Sequence, residues 1–200
     1  MSIIICPGIH EPALTESFIS ECLNLNSDSS SAKNSDNLLI FPEQGLLTLS
    51  PLHILQFLHN CLGNELESPV IFISFSAGVV GAMLAANSWR LLGGNVKAFI
   101  AIDGWGVPLW GDFPIHRISH DYFTHWSSSL LGSGKNNFYA EPAVDHLSIW
   151  RSPQTVQGFW VDLSEEFYPK SDRLSASEFL RLLLKRYEEN SPENKVGKQE

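Results

Sequence analysis

Val70-Ile71-Phe72-Ile73-Ser74-Phe75-Ser76-Ala77-Gly78-Val79-Val80-Gly81-Ala82 is the stretch whose reading decides the fold. Val70 to Phe75 is apolar on both faces, too short for a helix and rich in β-branched and aromatic residues, so it reads as a buried strand. Ser76-Ala77-Gly78 breaks it, and Val79 to Trp89 continues as an Ala-rich helix. A sharp strand-to-helix turn needs small residues on either side of its tip, because strand and helix must approach closely there. Ser74 and Gly78 supply them, two before and two after Ser76. Such a turn lifts the Ser76 hydroxyl above the sheet, where the unused N–H groups of the helix start also point.

Working outward, Ser2 to Cys6 reads as a second buried strand, stopped by Pro7-Gly8. Pro12 to about Asn24 fits a helix, with Leu14, Phe18 and Leu25 near helical spacing. Residues 27–36 are Ser-rich and aperiodic, which predicts a mobile surface loop. Asn37 to Phe41 is a strand, and Ser50-Pro51 opens a helix with Ser50 as its cap and Leu52, Leu55, Leu58 and Leu62 as its apolar stripe. Val96 to Ile102, Ile115 to Ser119 and Asn137 to Ala140 follow as strands, and Pro153 to Trp160 and Ser175 to Glu189 as helices. The pattern predicts an α/β protein, a three-layer α/β/α sandwich with a mostly parallel sheet and its site at the carboxyl tips of the strands. Residues 1–190 are expected to form a single domain and residues 191–200 a flexible tail.

Composition narrows the function classes. The chain has 200 residues, 44% of them hydrophobic and 18% charged, enough to build a packed core. The formal net charge of -9 opposes binding to phosphate backbones, so nucleic acid is not an expected partner. Cys6, Cys22 and Cys61 form no CxxC pair, and idle thiols in a reducing compartment are expected. Without a signal-peptide pattern or a run long enough for a membrane span, a cytoplasmic location and no integral membrane segment are expected. His116-x-x-x-His120 falls in a predicted strand with no Glu between the histidines, so no metal is expected there. No Gly-rich nucleotide loop is present, and no cofactor is expected.

In its strand–turn–helix setting, Ser74-Phe75-Ser76-Ala77-Gly78 resembles the nucleophile turn of the α/β-hydrolase superfamily, Gly-x-Ser-x-Gly, with Ser74 where that family usually has Gly. The resemblance implies a trimmed α/β-hydrolase fold and a serine hydrolase with Ser76 as nucleophile. It further implies the chain order Ser, then Asp or Glu, then His, with the His in a loop after the last strand. His146, in Glu141-Pro142-Ala143-Val144-Asp145-His146-Leu147, fits the base. Two aspartates compete for the orienting acid. Asp121 follows the strand before the last one, where the family usually places its acid, and is favoured; Asp103, one strand earlier, is the alternative.

The same resemblance assigns the oxyanion hole to the N–H of Ala77 and to Ile9, in the turn after the first strand, beside which His10 would line the pocket. Trp105, Trp110, Phe113, Tyr122, Phe123 and Trp126 are dense between the two candidate acids, and Trp105, Trp110 and Tyr122 are read as a substrate wall. Residues 104–114 are too few for a large lid. The expected substrate is a small-molecule acyl ester or thioester, cleaved through an acyl-enzyme. An acyltransferase using the same serine and a non-catalytic binding relative are the alternatives, and the oligomeric state is left open.

Overall fold

The computed structural model describes residues 1–23, 37–63, 65–162 and 170–189. The expected mobile loop at 27–36 and the tail at 191–200 lie outside the described residues. Eight strands make one sheet: β1 (Ser2–Cys6), β2 (Leu38–Ile40), β3 (Val70–Phe75), β4 (Val96–Ile102), β5 (Ile115–Ser119), β6 (Asn136–Ala140), β7 (Gln157–Asp162) and β8 (Lys170–Ser175). Their order across the sheet is β2-β1-β3-β4-β5-β6-β7-β8. The six strands from β2 to β6 run parallel, and β7 and β8 add an antiparallel pair at one edge.

Side chains alternate between two cores, as strand geometry requires. Ile3, Ile5, Ile71, Ile73, Phe75, Ile100 and Ile102 face one side. There they meet α1 (Pro12–Phe18), α5 (Ser148–Arg151) and α6 (Ala176–Glu189) through Phe18, Trp150, Phe179 and Leu183. Ile4, Cys6, Phe72, Phe99 and Ala101 face the other side, against α2 (Pro51–Leu62) and α3 (Gly78–Leu91). Each fully buried Ile or Phe of this kind contributes about 1.5–3 kcal/mol relative to exposure. The protein is therefore α/β with helices on both faces of a mostly parallel, mixed sheet. No helix among the described residues is long and apolar enough to cross a membrane.

The small residues of α3 set its depth. A Cβ at Gly81 would meet the Leu49 carbonyl carbon at 2.8 Å, so α3 lies directly on the short 3-10 turn at Gly45–Leu49. Gly78, Ala82, Ala85 and Ala86 are buried along the same helix.

Four local expectations are corrected. The segment expected as a helix at Pro153–Trp160 instead enters β7, because its residues pair with β6: Phe138 opposes Trp160 and Tyr139 opposes Phe159. The Trp160 indole gains an edge contact with Phe179 at 5.1 Å and donates from Nε1 to Asn136 Oδ1 at 3.0 Å. These long-range gains decide a segment whose local pattern is ambiguous. The strand ending at Ala140 is thus not the last of the sheet, although it is the last of the parallel series. In α2 the buried residues are Ile54 and Leu58, while Leu52 is exposed. Ser50 does not cap that helix with its side chain; its hydroxyl pairs with His53 Nδ1 at 2.7 Å.

Candidate active site

Ser76 sits on the turn between β3 and α3 with φ of 51°. Positive φ is costly for a residue with a Cβ, so the fold must hold it there. Its own N–H donates to the Ile102 carbonyl at 2.9 Å, tying the turn to the end of β4. A Cβ at Gly8 would stand 3.0 Å from Ser76 Cβ, so the turn after β1 is pressed against the serine. Ser74, which replaces the usual Gly of the resembled motif, is fully buried between Cys6 and Ala101 in the neighbouring strands.

His146 reaches this serine from the loop between β6 and α5. Its Nε2 lies 3.0 Å from Ser76 Oγ, and its Nδ1 lies 2.7 Å from Asp103 Oδ2. Stacked rings fix the imidazole: His146 on Phe75 at 4.9 Å, Phe75 on Trp150 at 4.8 Å, and Trp150 on Phe18 at 3.7 Å. The column begins in α1 and passes through α5 and β3, so the ring's orientation is set by the core beneath it.

Asp103 directly follows β4, is buried, and has φ of 52°. Its Oδ1 accepts the main-chain N–H of His120 at 2.8 Å. Its Oδ2, besides meeting His146, lies 2.7 Å from His120 Nδ1. That second approach is an ion pair when the His120 ring carries its second proton. Burial by itself would raise the Asp103 carboxyl, but its contacts with His120 and His146 outweigh burial and hold it below the usual carboxylate range. His120 moves the opposite way. Its contact with Asp103 raises it above an ordinary imidazole against a partial loss to burial, with Asp121 and Asp145 adding to the rise.

Asp121, the favoured acid, does not touch His146. It is the N-cap of α4 (Tyr122–Ser129), where its Oδ1 accepts from the Thr124 N–H at 2.6 Å. The carboxylate beside the imidazole is the alternative, Asp103. The physical reason is that the helix start at Tyr122 recruits the nearest acceptor for its unused N–H groups, and Asp121 is in register to serve.

The hydrogen-bonded groups open into a cleft of about 600 Å³ lined by Leu49, Ala77, Val80, Trp105, Val107 and Phe123, together with Ser76, Asp103, His120 and His146. Of the residues expected to contact substrate, Trp105 lines this cleft. Its indole donates to Ser127 Oγ at 3.1 Å. Trp110, Tyr122 and His10 do not line it. Trp110 packs its backbone on α3 through Asn87 and Met83. Tyr122 meets Tyr139 edge-on at 5.2 Å. His10 lies against Phe75 and Trp150, and its Nδ1 pairs with the Glu11 carbonyl at 2.9 Å. Ala77, the N-cap of α3, lines the cleft, whereas Ile9 does not line it and is exposed in the turn after β1.

The residue that sequence reasoning missed is His120. The available signal was its place at the tip of β5, next to Asp121, since ligands of open α/β sheets bind at the carboxyl ends of the strands. His116, its partner in the rejected zinc pattern, is buried elsewhere between the Asn136 carbonyl and the Tyr187 hydroxyl, at 2.7 and 2.6 Å. Asp103, His120 and His146 cluster, with atoms within 4.8 Å of one another, because both imidazole Nδ1 atoms meet the one Asp103 carboxylate.

Comparison of the chain with protein-family models finds no match, and comparison with curated proteins finds none either.

Proposed function

We propose that the chain is a serine hydrolase of the α/β-hydrolase type that cleaves a carboxylic ester or thioester through an acyl-enzyme on Ser76. The observation that carries the reading is the continuous chain of contacts from Ser76 Oγ to His146 to the buried Asp103. Serine is a weak nucleophile at its own pKa and needs a base within hydrogen-bond reach, itself oriented by a third group. Here the base is 3.0 Å from the hydroxyl and its other nitrogen is 2.7 Å from a carboxylate, which selects the tautomer with the proton on Nδ1 and leaves Nε2 free to accept.

In the proposed reaction, Ser76 Oγ attacks the acyl carbonyl as its proton passes to His146 Nε2. The carbonyl π pair moves onto oxygen, and the N–H groups of Ala77 and Ile9 receive that charge. Collapse of the tetrahedral species breaks the bond to the leaving alkoxide or thiolate, which takes the proton from His146. Water then repeats the sequence on the acyl-enzyme, giving up its proton to His146, and releases the acid. Leu49, Val80, Val107, Trp105 and Phe123 suit an apolar acyl group. A reducing, cytoplasmic setting fits the three free thiols.

A fluorophosphonate probe tests the reading. Wild type is expected to be labelled stoichiometrically and Ser76→Ala not at all; equal labelling of the two overturns it.

A further inference from the structure

His120 approaches Asp103 in a way that an ordinary orienting carboxylate does not require. Both His120 Nδ1 and His146 Nδ1 lie 2.7 Å from the same oxygen, Asp103 Oδ2. His120 Nδ1 has no partner besides that oxygen, while its Nε2 faces the Asp121 carboxylate at 3.5 Å. Asp145, in the loop before α5, adds a third negative charge nearby. The ring is therefore bracketed by carboxylates on both nitrogens. Neutral imidazole has one N–H and one lone pair, so in that state a lone pair must face a carboxylate; the imidazolium has a donor for each side. His146 is placed differently, with a carboxylate at Nδ1 and a hydroxyl, which can donate or accept, at Nε2. The His120 and His146 rings lie 6.0 Å apart, so a charge on one is felt by the other.

We propose, on the basis of the hydrolase reading above, that His120 is a positioning residue of this site, holding Asp103 by the oxygen His146 also uses, so that protonation of His120 weakens the carboxylate's support of His146 and slows acylation of Ser76. His146 must carry positive charge in the acylation transition state, and Asp103 is what stabilises it. A cationic His120 competes for the same oxygen and repels the developing imidazolium. A neutral His120 leaves Asp103 to His146. The groups facing His120 are Asp103 at the tip of β4, Asp121 at the start of α4, and Asp145 and His146 in the β6–α5 loop. All three carboxylates hold its proton against release, which is why the ring stays charged to a higher pH than a free one.

The experiment measures the rate of fluorophosphonate labelling against pH for wild type and His120→Gln, whose side chain is neutral throughout and keeps an N–H donor. The ratio of variant rate to wild-type rate is expected to rise about fivefold as pH falls through the His120 midpoint measured by NMR, since only wild type acquires the second positive charge. A ratio that does not change with pH overturns the inference. The His120 ring is also followed by NMR in wild type and in Asp103→Asn, a readout that needs no reactive serine. Its titration midpoint is expected above that of a free imidazole in wild type and to drop in the variant; an unchanged midpoint overturns the inference even if His120→Gln fails to fold. Absence of labelling in wild type would instead remove the hydrolase reading, with the NMR arm still deciding the link between His120 and Asp103.

Discussion

Gly78 lies against the Pro7 carbonyl so closely that a methyl group added at 78 would collide with that oxygen and stand 2.8 Å from the Cys6 carbonyl oxygen. The obstacles are backbone atoms at the end of β1, which cannot rotate away. Gly78→Ala is expected to destabilise the protein by about 3 kcal/mol, seen as a lower urea midpoint at unchanged slope. Because α3 must shift to relieve the clash, labelling of Ser76 should fall as well.

The two aspartates separate by the kind of loss they cause. Asp103→Asn keeps the shape of the site but removes the charge beside His146 Nδ1, and on the proposed reading the labelling rate is expected to fall by about 10³-fold or more. Asp121→Ala removes the N-cap acceptor of α4 and is expected to cost about 1 kcal/mol of stability, with labelling reduced less than about tenfold. A larger kinetic loss for Asp121→Ala than for Asp103→Asn would reverse the assignment.

Arg117 is buried on β5, where its guanidinium donates to the carbonyls of Gly132 at 2.7 Å, Val107 at 2.9 Å and Gly104 at 3.3 Å. Two of these carbonyls belong to the segment that carries Trp105 and Val107, so a core cation anchors one wall of the cleft. Burial brings its pKa down to about 10, which still leaves it charged at neutral pH. Arg117→Met should cost about 3 kcal/mol by leaving carbonyls unpaired. In an esterase assay it should raise KM more than it lowers kcat, because the wall loosens while Ser76 and His146 keep their support.

His116 gives the protein a dependence on pH that is separate from its chemistry. Burial lowers its pKa from 6.5 to about 4, against a partial rise from its bond to the Asn136 carbonyl. In the unfolded chain the ring gains a proton as pH falls through 6.5, whereas in the folded state it stays neutral down to about 4. Proton uptake by the unfolded state therefore erodes stability across that window, by on the order of 3 kcal/mol in all. Chemical denaturation between about pH 7 and about pH 4 should show this slope, and His116→Gln should flatten it.

The parallel half of the sheet was legible because its strands carry their signal locally. Val70–Phe75 and Val96–Ile102 are apolar on both faces and bounded by turn residues, and the small residues at 78, 81 and 82 announce a helix packed tightly on them. Gln157–Asp162 was not legible in the same way: its identity as a strand depends on β6, to which it pairs antiparallel, and on the contact of Trp160 with Phe179 in α6. At the site, Ser76 and His146 could be named from turn chemistry and chain order, and the structure brings them together. The choice between Asp103 and Asp121 could not, since both follow strands in the sequence and only the three-dimensional register shows which carboxylate faces the imidazole and which serves a helix start. Aromatic density was a poor guide to the cleft. Trp105 and Phe123 line it, but Trp110 and Tyr122 from the same segment do not, because density says nothing about direction.

Ser76 and Asp103 are the two residues other than glycine, among those described, with left-handed backbone, and they end the adjacent strands β3 and β4. Each conformation costs on the order of 1 kcal/mol that glycine would not. Mutational drift toward heat resistance and retention of the hydroxyl and carboxylate therefore pull in opposite directions at these two positions. In a library screened for thermal survival alone, 76 is where a glycine should accumulate early, and such survivors would be expected to be robust and inert.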